Sequence, residues 1–157
     1  GEQYFRAEGR LTFWRDTLRL VHDYPWFGTG LGTFQYSFRH YQTGLLDFLV
    51  DHAHNDYLEV TSETGLIGAA LLFLPILVLL IRMIVSFLTD TRRYRPSILL
   101  GCIGATLGIL LHSFTDFNLQ IPANALTLAV ILGIGYKAAC VERQAERRQA
   151  GNRASPS

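Results

Sequence analysis

The hydrophobic pattern changes at Leu66. From there to residue 81 the chain has no charged and no strongly polar side chain, and the apolar tract LIGAALLFLPILVLLIRMIVSFL continues to Leu88. A helix needs about 20 mostly apolar residues to cross a bilayer, so 66–88 is expected to be a transmembrane helix. Arg82 lies near one end, where its stem can carry the guanidinium to the headgroups, and Pro75 is expected to kink the span. Two further tracts follow, 98–117 and 121–141. The first carries Gly101, Gly104 and Gly108 at helical spacing, which suits close helix packing. Before Leu66 the pattern is amphipathic. RLTFWRDTLRLVHD, residues 10–23, puts Leu11, Trp14, Leu18 and Val21 on one helical face, and Pro25 should end that helix near Asp23. The expected fold is all-α: a polytopic membrane protein fragment with three transmembrane helices and a helical extracytoplasmic loop. A soluble helical bundle is the competing reading, but soluble helices keep a polar face that 66–81 lacks.

Charge gives these spans a direction. Residues 1–65 hold five Arg (6, 10, 15, 19, 39) against nine acids, whereas the rest holds nine Lys and Arg against four acids. The loop TDTRRYRPS, 89–97, carries three Arg, and the tail from Lys137 carries five Lys and Arg. The positive-inside rule places both in the cytoplasm. With three crossings, residues 1–65 and the short turn 118–120 then face the other compartment, and 142–157 form a cytoplasmic tail. The overall net charge of +1 gives no basic field for nucleic acid. The opening GEQYFR has neither an initiator Met nor a signal region, and is expected to lie inside a longer protein. Cys102 and Cys140 sit in apolar tracts without metal-site or disulfide spacing and read as small buried hydrophobes.

The densest polar chemistry lies at the mouth of the first span, in VDHAHNDYLEVTSETGLIG, 50–68. Three readings compete for it. His52-Ala-His54-Asn-Asp56 resembles a metal-binding HxHxD, but further ligands are needed and the other His (22, 40, 112) form no second cluster. No metal or other cofactor is therefore expected. Asp51 or Asn55 can cap a helix whose first acids are Glu59 and Glu63. Finally, one imidazole can act as a general base near neutral pH. Upstream, PWFGTGLGTF carries Gly28, Gly30 and Gly32, which suits a tight turn or close backbone approach more than a phosphate cradle. Residues 34–49 are aromatic (Phe34, Tyr36, Phe38, Tyr41, Phe48), with a loop and a short helix both open.

From His54 the chain reads His-Asn, nine residues, then Gly65-Leu-Ile-Gly68. This resembles the H-[NSQ]-x9-G-x-x-G signature of the O-antigen ligase family. Gly9-Arg10 followed by Trp14, the P-x-x-G-x-G-x-G run from Pro25 to Gly32, and HSFTDFNLQIP, 112–122, fit the same family. The resemblance implies a bacterial inner-membrane, multi-pass protein whose periplasmic loop, here 1–65, precedes the last spans, with earlier spans lying before this stretch. It implies transfer of a glycan from an undecaprenyl-diphosphate carrier to an acceptor hydroxyl on lipid, glycan or protein, in surface polysaccharide synthesis. Polysaccharide polymerases, protein O-oligosaccharyltransferases and transporter-like members share the pattern.

That chemistry needs a base for the acceptor and cations for the departing diphosphate. His54 matches the family's catalytic His. Arg10, in the matching Gly-Arg position, suits the diphosphate because a guanidinium binds phosphate oxygens in pairs. Arg15 and Arg19 are further substrate-binding candidates. Asn55 and Tyr57 can orient the base or bind sugar, and Gly65 and Gly68 should permit close packing at the head of the span. His52 is expected to be dispensable. His112 and Asp116 face the same compartment, with cavity lining and packing both open. A transporter would place ionisable groups mid-span, whereas here they lie at the span ends.

Overall fold

The computed structural model describes residues 2–43, 50–89 and 95–141, with side chains from Arg10 onward. All regular structure among them is helical: α1 (Glu2–Asp23), α2 (Phe34–Phe38), α3 (Asp56–Thr89), α4 (Arg95–His112) and α5 (Pro122–Tyr136), with a 3-10 turn at Asn118–Gln120 and a π-helical turn at Lys137–Val141. The expectations for Phe48, for the loop arginines 92 and 93, and for the tail 142–157 fall outside the described residues. Three helices, Asp56–Thr89, Arg95–His112 and Pro122–Cys140, are long and apolar enough to cross a membrane, so the all-α membrane architecture holds. The chain divides into two compact units, one made of Gly1–Phe73 with Leu110–Pro122, the other of Leu74–Ile109 with Ala123–Ser157.

In the first unit, α1 ends where proline chemistry requires. The Tyr24 N–H still reaches the Leu20 carbonyl at 3.1 Å, and Pro25, with no N–H, cannot continue the ladder. The buried face of α1 differs from the expected one. Leu11 and Leu18 are exposed, while Asp16, Thr17 and Leu20 are buried. The reason is a polar anchor: Asp16 Oδ2 accepts the Thr43 N–H at 2.8 Å and Oδ1 the Arg19 guanidinium at 3.3 Å. A fully bonded buried carboxylate rotates the helix in a way that hydropathy cannot indicate. Phe34 and Phe38 from α2 stack at 5.0 Å, Phe13 meets Phe38 edge-on, and Ala53 and Val50 complete this core.

Helix α3 starts ten residues before the expected span and is broken once, at Gly65 (φ 68, ψ −177). Pro75 lies inside the helix without a non-helical dihedral of its own, so the expected kink site moves to Gly65. The break lets the glycine loop dock backbone to backbone. Thr29 and Gly30 donate to the carbonyls of Ser62 and Glu63, and Leu66 and Ile67 donate to those of Pro25 and Trp26. A Cβ on Gly28 would overlap the Glu63 backbone, and one on Gly65 the backbone of Trp26. Both residues sit at positive φ, the region that favours glycine.

In the second unit, the small-residue prediction is redirected. Gly101, Gly104 and Gly108 have open space where a Cβ would stand, while Gly135 of α5 lies against Met83 and Cys102. Arg95, expected as a loop cation, is instead buried at the start of α4, where Nε donates to the Ala138 carbonyl at 2.6 Å. That bond ties the start of α4 to the π-helical turn that follows α5. Leu74, Leu77, Val78, Ile81 and Val85 of α3 remain exposed, the all-round apolar surface of a helix whose solvent is lipid.

Candidate functional site

The second apolar tract does not remain helical to Phe117. Helix α4 stops at His112, and residues 113–117 form a turn. The Phe114 N–H bonds to the Leu111 carbonyl and that of Thr115 to the His112 carbonyl. This early stop carries Asp116 and Phe117 out of the helix and to the His54 loop.

His54 lies in the last loop before α3, not on the helix, and its φ is 51°. A non-glycine residue in this region is strained by roughly 1–2 kcal/mol, so the neighbours must hold it. Asn55 is the principal holder. Its Oδ1 accepts the Leu58 N–H at 3.1 Å as the α3 cap, and its Nδ2 donates to the Phe114 carbonyl at 3.2 Å. The Asp56 N–H bonds to the Ser113 carbonyl, and Asp56 Oδ2 accepts the Leu119 N–H at 2.9 Å. Tyr57 donates its hydroxyl to the Leu110 carbonyl at 2.8 Å between the rings of Phe73 and Phe114. The polar groups of Asn55 and Tyr57 thus clamp the 110–119 turn against the head of α3. Of the two residues considered as caps, it is Asn55 that caps the helix, while Asp51 accepts from Gln35 at 3.1 Å.

The clamp sets His54 against a carboxylate. His54 Nδ1 stands 3.4 Å from Asp116 Oδ1, and His112 Nε2 stands 3.8 Å from Asp116 Oδ2. Burial by itself would raise the Asp116 pKa. The Phe117 amide, the His54 hydrogen bond and the charges of the two imidazoles outweigh it, and the net shift is downward. Both His54 and Asp116 keep over a third of their side-chain surface open, so a substrate group can reach them.

His52 and His54 diverge. His52 Nδ1 pairs with the buried Glu59 at 2.7 Å and its ring stacks on Phe117 at 4.2 Å, while His54 tilts against the same Phe117 at 5.4 Å. Glu59 also accepts the Ala53 N–H at 2.8 Å. His52 therefore supports the loop from beneath. The paired His motif serves two separate carboxylates instead of converging as one donor set.

The arginines come from α1. Trp14 Nε1 donates to the Ala53 carbonyl at 3.1 Å, which fastens α1 to the residue next to His54. Arg10 lies one turn before Trp14 on the same face. Arg10 and Arg15 are exposed, and neither makes an ion pair among the described residues; Arg19 is held by Asp16 at 3.3 Å. The glycine loop presents no anion cradle from Thr29 and Gly30, because those amides are already bonded to Ser62 and Glu63. Glu63 itself accepts the Phe34 N–H at 3.0 Å. Gly65 makes the backbone contact described above, and Gly68 sits against the Thr64 side chain.

Sequence reasoning gave no role to Phe117, read Trp14 only as part of an apolar face and a family pattern and Glu59 only as a first-turn acid, and left Asp116 open. The usable signal was a helix end: Ser113-Phe-Thr-Asp is poor helix-continuing chemistry inside an otherwise apolar tract. No curated protein is found to match the chain. The family model described as O-Antigen ligase matches residues 1–73. Those 73 residues run from α1 through the glycine loop and His54 into the head of α3, and over them this membrane-spanning chain is similar to the glycosyltransferase-like O-antigen ligase family of surface polysaccharide synthesis.

Proposed function

We propose that the protein moves a glycan from undecaprenyl diphosphate to an acceptor hydroxyl at the outer face of the bacterial inner membrane, with residues 1–65 periplasmic. The observation that carries this reading is His54, held in a strained backbone conformation and backed by Asp116 at 3.4 Å. Strain of this kind persists where the surroundings over-determine it, and it clusters at functional positions. With Nδ1 turned to the carboxylate, Nε2 is the nitrogen left for substrate, the orientation a base needs.

In the proposed step the acceptor oxygen attacks the anomeric carbon of the carrier-linked sugar. The bond from that carbon to the phosphate oxygen breaks, and undecaprenyl diphosphate leaves with the electron pair. The hydroxyl proton passes to His54 Nε2, and Asp116 stabilises the imidazolium that results. Arg10 meets the diphosphate as charge builds on the leaving oxygen, with Arg15 and Arg19 further along α1. The exposure of Arg10 and its position one turn from the Trp14–Ala53 bond support this assignment. A lipid carrier confines its diphosphate to the headgroup layer, which explains why this chemistry lies where α3 begins.

The test is His54→Ala, His54→Asn and Arg10→Ala in the protein in its native membrane, scoring lipid-linked donor and finished glycan. Loss of a general base removes about 10²–10⁴-fold in rate, so donor should accumulate in the His54 variants at unchanged protein level. His54→Gly should be as inactive as His54→Ala yet more stable by about 1 kcal/mol, since glycine adopts positive φ without strain. Wild-type transfer by both His54→Ala and Arg10→Ala would exclude the mechanism.

A further inference from the structure

Beyond the His54 loop, the first unit holds a cavity of about 570 Å³ whose lining includes Leu20, Tyr24, Thr29, Tyr36, His40 and Tyr41, together with Ser37. That volume lies within the range of small-ligand sites, roughly 300–1,000 Å³. Three of the lining side chains are tyrosines. Tyr24 is 50% and Tyr36 73% exposed, so both rings are accessible to a ligand.

The Thr29 hydroxyl is engaged by Thr33 and the Ser62 carbonyl, but other polar groups are not. Among the described residues the side chains of Tyr24, Tyr36, Ser37 and His40 make no hydrogen bond. Tyr41 donates to Asp23 at 2.7 Å, which pushes its phenol up to about 12 and keeps it protonated at any physiological pH. Its oxygen can still accept. The rim therefore offers several hydroxyls and an imidazole around flat apolar rings. Among the described residues neither Arg nor Lys lines it, which disfavours phosphate, and the ring of hydroxyls disfavours an acyl chain. A sugar ring has the complementary chemistry, an apolar C–H face and a hydroxylated edge.

We propose that this cavity is a saccharide-binding subsite that takes a neutral sugar unit of the glycan substrate. It stands close enough to serve the chemistry. Leu20 is six residues along α1 from Trp14, about 9 Å of helix rise, and Trp14 bonds to the residue next to His54. A short oligosaccharide spans that separation. The subsite rests on the transferase reading only for whose sugar it holds, the donor's or the acceptor's.

Saturation-transfer NMR on the protein in nanodiscs tests it, with glucose, galactose, mannose, N-acetylglucosamine and their β-linked disaccharides as millimolar probes. At least one probe should receive saturation on its ring C–H protons. Tyr36→Ala should weaken that signal about fivefold, as expected for loss of one aromatic contact, while Tyr36→Phe retains it; the exposure of Tyr36 makes misfolding of either variant easy to recognise by melting. Absence of signal from every probe, or a signal left unchanged by Tyr36→Ala, overturns the subsite. In a transfer assay, Tyr36→Ala should raise KM for donor or for acceptor, which assigns the sugar, and an unchanged KM for both overturns the proposal. Saccharide binding that persists in a protein whose His54→Ala variant still transfers glycan would refute the transferase reading and leave the subsite standing.

Discussion

The indole of Trp14 donates to the carbonyl of Ala53 at 3.1 Å, and this bond joins the arginine-bearing helix to the loop that presents His54. The two residues are 39 positions apart, so one hydrogen bond sets the register between the proposed cation and the proposed base. Trp14→Phe keeps the ring and removes the donor. A net loss of about 1 kcal/mol is expected, with a larger effect on turnover than on expression because α1 can slide relative to the loop. Melting temperature and glycan transfer measured on the same preparation check this. A variant slower than its stability predicts identifies Trp14 as a positioning residue.

Asp116 supplies a pH signature. Its folded pKa lies below the ordinary aspartate value, so the fold favours the ionised form. The stabilisation is then complete above about pH 4, the ordinary value, and disappears as pH falls through the lowered folded value. Asp116→Asn should melt below wild type at neutral pH by a constant margin, and the two curves should merge below pH 4. With 42% of the side chain open to solvent, the margin is small, under about 1 kcal/mol.

Glycine substitutions should separate sharply. Gly65→Ala imposes positive-φ strain and a collision with the Trp26 backbone, and should cost more than about 2 kcal/mol. Gly101→Ala meets open space and helix propensity favours it by about 1 kcal/mol. Expression level and thermal melting of the two variants provide the comparison.

His52, expected from spacing alone to be dispensable, should prove partly necessary. Its ring stacks on Phe117 and its Nδ1 pairs with Glu59. His52→Ala should lower transfer by a few-fold and stability by about 1–3 kcal/mol, since it leaves a buried carboxylate with one partner fewer. His52→Phe should recover the stack without the hydrogen bond, and assays of both variants apportion the two effects.

The membrane helices were legible in the sequence because lipid demands long uncharged runs, and 66–81 is such a run. Their ends were less so. The tract 98–117 is apolar almost throughout, so hydropathy carried the span past His112. The actual stop depends on Ser113 and Phe114 carbonyls being claimed by Asp56 and Asn55, partners some 58 residues away. The same holds for the site. His54 stood out through local spacing, whereas Asp116 and Phe117 reach it only through the tertiary fold. The buried face of α1 was misjudged for a related reason: hydropathy assigns Asp16 to the solvent side, and its bond from Thr43 reverses that.

The described part of α4, Arg95–His112, is 18 residues long, about 27 Å of helix against a hydrocarbon layer of about 30 Å. Such mismatch is met by thinning of the bilayer around the short element. Bilayer thickness is therefore expected to matter to this protein: lipid of graded acyl length should change glycan transfer, with thicker, more ordered lipid opposing the stop at His112.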